Sequence, residues 1–152
     1  MMYENSPLIR LTRYFVLVVG AAFIMAGIAG FLPFFTPHPP PDAPHLMVST
    51  SYGLLLGLFP INIVHNLFHF SMGLAGVVAF RSYPSSLQFS RFLGVTLAVL
   101  TVMGMIPALR TGFGIMPLYG HDIWLHGIES AIGLYLGFIA VQEKPLTAEK
   151  AA

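Results

Sequence analysis

Between Leu11 and Val141 the chain is a succession of apolar runs, each close to the length that crosses a bilayer, separated by short turns rich in proline, glycine and arginine. About twenty apolar residues in a helix span the roughly 30 Å hydrocarbon core of a membrane. No water is available there, so each span must satisfy its own backbone polar groups, which an α-helix does. The runs predict spans at 11–35, 61–80, 87–109 and 118–141. Only 9% of residues are charged and 56% are hydrophobic, with a mean hydropathy of +0.78. A soluble domain carries about 25% charged residues. The expected class is therefore all-α: a polytopic membrane protein with a single four-helix domain over residues 1–152.

The breaks are set by composition. Thr36–Pro44 places five prolines in nine residues, which forbids a helix and favours an exposed polyproline II loop. His45–Phe80 is too long for one span, because such a helix would run about 54 Å at 1.5 Å per residue. Pro60 and Asn62 mark its break, so Met47–Phe59 is expected as a short interfacial helix ahead of the second span. Arg81–Ser90 and Arg110–Met116 read as turns. The first run, Tyr14–Phe35, exceeds the apolar core of a signal peptide, about 7–15 residues, and is expected to be retained as a span. Ala22, Ala26 and Gly30 on the first span, and Gly94/Ala98 and Gly104/Ala108 on the third, have the four-residue spacing of close helix packing.

Charge gives the orientation. Arg10, Arg13, Arg81, Arg91, Lys144 and Lys150 fall on one side of the four spans, and only Arg110 falls on the other. The positive-inside rule then places both termini in the cytoplasm. The net charge is +1 without a basic cluster, so a nucleic-acid partner is not expected. With no cysteine in the chain, disulfides and thiolate metal sites are excluded.

Spans two and four align without gaps at an offset of 57 residues: Gly57 with Gly114, Pro60 with Pro117, His69 with His126, Gly76 with Gly133. His65 falls opposite Asp122. The starts of spans one and three, Arg13-Tyr14-Phe15 and Arg91-Phe92-Leu93, also correspond. The chain thus reads as two helical hairpins in tandem, a parallel repeat about an axis along the membrane normal. Asp122, His126 and Glu129 share one helical face, continued by Gly133 and Gly137. Asn62, His65 and His69 share another, continued by Gly73 and Gly76. Facing one another, the two stripes would gather His65, His69, Asp122, His126 and Glu129 in the outer half of the membrane. Ionisable groups there cost roughly 2.5–3.5 kcal/mol each on insertion scales and need partners. Glu129 has no polar counterpart in the first copy, where Met72 stands.

Several chemistries suit such a cluster. It could be an interhelical network that fixes helix register, giving the protein a structural, accessory-subunit or binding role with a membrane-protein partner or a second copy. It could hold a transition metal through His65, His69, Asp122, His126 and Glu129, or a haem through His69 and His126, in a redox or sensor protein. A proton path is another reading. An intramembrane metal-dependent hydrolase with Glu129 as general base is the least favoured, because no other candidate catalytic side chain accompanies the cluster.

The stretches GLFPINIVHNLFHFSMGLAGV (57–77) and FGIMPLYGHDIWLHGIESAIGL (113–134) resemble the signature of a bacterial four-transmembrane family of unknown function. Pro60, Asn62, His65, Asn66 and His69 fit its second-helix start, and Asp122 and His126 its fourth. The resemblance covers Leu8 to Val141 and departs from the pattern in the Pro-rich loop, at His121 and Glu129, and at Tyr119, where an Asn is more typical. It implies an integral inner-membrane protein and assigns no activity.

Overall fold

A computed structural model describes residues 6–141. Lys144 and Lys150, used above for orientation, lie outside the described residues. The fold is mostly helical, with four helices and one small antiparallel sheet. Helix α1 (Pro7–Ala29) starts on a proline, whose fixed φ suits a first helical position. A single 3-10 turn, Pro33–Phe35, follows. Strands β1 (Gly53–Leu55) and β2 (Phe59–Ile61) form a hairpin in which Leu54 pairs with Pro60. Helix α2 (Ile63–Ala79) is capped by Asn62, whose side chain accepts from the His65 backbone N–H. Helix α3 (Tyr83–Met105) is capped by Ser82 and ends at Ile106, which the following Pro107 holds in an extended conformation. Helix α4 (His121–Leu134) runs into a π-turn over Tyr135–Ile139.

The helices follow the expected spans with shifted ends. α1 and α3 each begin four residues before the expected span. Pro7 in one case and Ser82 with Pro84 in the other are start signals, so 83–90 is helix and not turn. Two helices, Pro7–Ala29 and Tyr83–Met105, are long and apolar enough to cross a membrane.

The interfacial helix expected over Met47–Phe59 is not there, and the all-α class is corrected accordingly. Ser51, Leu56 and Gly57 adopt left-handed backbone conformations, with φ of 55°, 55° and 73°, which no right-handed helix accepts. The segment's N–H groups find distant partners instead. Leu54 donates to Pro37 O and Leu56 to Phe35 O, while Met47 and Val48 donate to Gly114 O. The hairpin is thereby stitched to the Pro-rich loop and to the turn before α4.

α1 packs against α2 and α3 against α4. The close contacts of α1 run through Gly20 and Gly27 rather than Ala22 and Ala26. A Cβ on Gly20 would lie 2.9 Å from Val77 N, and one on Gly27 2.8 Å from Asn66 O. Of the expected trio only Gly30 is buried in this contact, with the Asn66 amide against it. Gly94 approaches α4 at Gly133 and Leu134, whereas Ala108 is exposed in the turn after α3. Val16, Val19, Phe23, Met72, Phe89, Leu93 and Leu97 form the central core.

Candidate metal centre

The site is assembled from the start of α2 and the start of α4. Asn62 fixes the first. Besides capping α2, its buried amide donates to Val48 O at 2.8 Å and Ile115 O at 2.7 Å. This ties the loop before the hairpin, the turn before α4 and the first turn of α2 together. Asn before an apolar helical run is a readable cap signal. Its two loop contacts have no local sequence signature. The start of α4 is held by Tyr119, which bonds the Tyr52 hydroxyl at 2.6 Å. Tyr52 donates its own proton to Pro44 O, so Tyr119 is the donor of that pair.

From these anchors three imidazoles converge. His65, His69 and His126 are buried, and one nitrogen from each lies within 4.8 Å of the others. Ring centroids are 4.4 Å apart for His65–His69, 5.7 Å for His65–His126 and 6.0 Å for His69–His126. Phe23 of α1 packs on His69 at 4.8 Å. His65 Nδ1 lies 3.2 Å from Pro60 O. A carbonyl only accepts, so that contact requires the proton on Nδ1 and leaves a lone pair on Nε2. His65 Nε2, both nitrogens of His69 and His126 Nε2 have no hydrogen-bond partner.

The carboxylates stand at the margin. Asp122 is 2% exposed and places Oδ2 3.7 Å from His65 Nδ1. It lies in the first turn of α4, where the helix dipole favours negative charge. Glu129 is half-buried two turns further along, with Oε2 unpartnered, and is not part of the imidazole group. His121 is exposed and edges onto the Phe59 ring. Asn66, one residue beyond His65, is fully buried with both amide atoms unpartnered. In the sequence it is one of the residues that fit the second-helix start of the family the chain resembles.

Buried imidazoles whose lone pairs lack hydrogen-bond donors are chemically equipped to coordinate a cation. Zinc takes histidine nitrogens at about 2.0–2.1 Å, which in a tetrahedral site sets them about 3.4 Å apart. Contracting the triad from within 4.8 Å to that spacing takes side-chain adjustments on the order of 1 Å. The hydrogen bond from His65 Nδ1–H to a backbone carbonyl is the usual outer support of a metal-bound imidazole.

No curated protein and no solved structure matches the chain. A family model described as a domain of unknown function, DUF4383, matches residues 13–139, and the chain belongs to that family.

Proposed function

We propose that this chain is a four-span integral membrane protein that binds a transition-metal ion between α2 and α4. His65, His69 and His126 are the ligands, and Asp122 and Glu129 supply negative charge beside them. The observation that carries this reading is the convergence of three buried imidazoles with unpartnered nitrogens. A packing network would instead pair these atoms with one another. Across the two helices His65 approaches Asp122 only to 3.7 Å, beyond hydrogen-bond distance.

The membrane reading draws support from the surface. In the most apolar stretch of each long helix only 33% of residues are buried, a share that favours lipid-facing helices over the mostly buried core helices of a soluble domain. α1 turns Leu11, Val18, Met25 and Ile28 outward, and α3 turns Phe92, Val95, Val99 and Val102 outward. The shorter α2 and α4 cross as the partners of α1 and α3. Both termini lie on the cytoplasmic side, by the cation count, and the metal centre lies in the outer half of the membrane.

The ring packing favours a bare ion over a tetrapyrrole. His65 touches both His69 and His126, so a macrocycle between the latter two would have to displace it. Protein purified from membranes in mild detergent, never exposed to chelator, tests the reading. Elemental analysis is expected to find a stoichiometric metal that is lost in His69→Ala and His126→Ala while helical circular dichroism persists. A Soret band would replace the ion with haem. Metal that stays substoichiometric even after incubation with Zn²⁺, Mn²⁺, Fe²⁺ and Cu²⁺ would overturn the proposal.

A further inference from the structure

Beside the triad lies a groove of about 310 Å³, and we infer that it is a binding site for a membrane-borne amphiphile whose neutral oxygen head, a hydroxyl or carbonyl, rests on His69 and Asp122. Its walls are apolar and come from four places: Ala22 and Ala26 of α1, Phe35 of the 3-10 turn, Leu55 and Phe59 of the hairpin, and Leu125 of α4. The two polar residues that line it are His69 and Asp122. Both are more than nine-tenths buried, and both present polar atoms without a hydrogen-bond partner.

The volume equals that of roughly ten water molecules at about 30 Å³ each. Ordered water needs two to four polar partners per molecule, and this lining supplies two residues at one end. An apolar body with one polar end meets both requirements. It fits the general pattern of small-molecule sites, mostly apolar with a few convergent polar groups. A neutral head is specified because a buried charge without a full set of partners costs several kcal/mol. The groove also explains the small residues that do not pack helices. Ala22 is exposed and Ala26 half-buried, and larger side chains at these positions would fill the groove. Entry from the lipid requires the membrane-spanning part of the function proposed above but not the metal ion.

The test uses the full chain in phosphatidylglycerol nanodiscs and a photoreactive decanol carrying a mid-chain diazirine. Labelling is expected to concentrate on Met25, Phe59 and Leu125. Excess decanol should suppress it by about tenfold, against little effect from decane. Ala22→Phe and Ala26→Phe should each abolish the focused label while leaving metal content unchanged. Competition by a decyl-substituted benzoquinone stronger than that by decanol would mark a carbonyl head as the better match, and weaker competition would mark a hydroxyl. Label spread evenly over the outward faces of α1 and α3, or decane competing as well as decanol, would overturn the inference. Focused labelling in protein that binds no metal would sink the metal centre and leave the groove standing.

Discussion

The halves α1–α2 and α3–α4 share a scaffold and differ in chemistry. Arg13 donates from Nε to Phe80 O and stacks on the Phe80 ring. Arg91 donates from Nε to Gly137 O and stacks on Phe138. The two acceptors are 57 residues apart, the offset seen in the sequence. Thr12 and Ser90, each immediately before the stacking arginine of its half, are both fully buried. Against this common frame, the first half presents Asn62, His65, His69 and Met72, while the second presents Tyr119, Asp122, His126 and Glu129 at the same offset. The first half supplies two imidazoles from a well-capped helix. The second supplies one imidazole and both carboxylates from a helix that starts on Gly120. The mixed charge of the donor set comes from the positions where the two halves differ, His65 against Asp122 and Met72 against Glu129.

Exchanging residues between the halves tests how far they have diverged, and the largest effect is expected where helix backbones touch. Gly73 and Ser130 occupy equivalent positions. A Cβ on Gly73 would lie 2.6 Å from Ile24 N and 2.7 Å from Gly20 O, so α1 and α2 must separate to admit one. Ser130 has room for its side chain and donates to Gly94 O at 2.8 Å. Gly73→Ser is expected to destabilise by about 3 kcal/mol, the upper range for overpacking, and Ser130→Gly by about 2 kcal/mol from the lost hydrogen bond and the helix penalty of glycine. Thermal unfolding in one detergent would compare them. Equal losses would mean the two helix pairs are packed alike.

The next effect concerns the anchors Asn62 and Tyr119. Asn62→Ala removes a helix cap and leaves Val48 O and Ile115 O without their donor. The expected loss is about 2–3 kcal/mol, from about 1 kcal/mol for the cap and a similar amount for each buried hydrogen bond. Tyr119→Phe deletes one hydroxyl contact and should cost about 1 kcal/mol. Amide exchange at Met47 and Val48, which donate to Gly114 O, should accelerate in Asn62→Ala and stay near native in Tyr119→Phe. Unchanged exchange in the first variant would show that Asn62 does not tie the loops.

Much of this was legible because helical periodicity is local. The i, i+4 spacing put Asn62, His65 and His69 on one face and Asp122 and His126 on another, and all five are buried. The apolar runs announced the helices, although Pro7 and Ser82 begin them four residues earlier than hydropathy suggests. The hairpin was illegible for the opposite reason. Its backbone partners are Phe35, Pro37 and Gly114, which nothing in residues 47–59 encodes. The small-residue spacing on α1 misled, since Ala22 and Ala26 line a groove while Gly20 and Gly27 make the close contacts. Phe23 against His69 belongs to the same class of unreadable long-range contact.

The smallest expected effect lies at the other end of the bundle, where the halves are most alike. Arg13 and Arg91 each bond a carbonyl at the end of the neighbouring helix, the end at which a cation is favoured by the helix dipole. Each is only half-buried, so solvent weakens the charge contribution. Arg13→Ala and Arg91→Ala should each cost about 1 kcal/mol, part of it from the cation–π contact. Replacement by Lys should recover less than half of this, because an ammonium cannot combine the directed Nε–H bond with planar stacking on the ring. Arg91 has the shorter bond, 2.6 Å against 3.1 Å, and is expected to lose slightly more. Its acceptor Gly137 sits within the π-turn. A loss at Arg13 several times that at Arg91 would mean that the two ends no longer share one design, and that the second half depends on its π-turn instead.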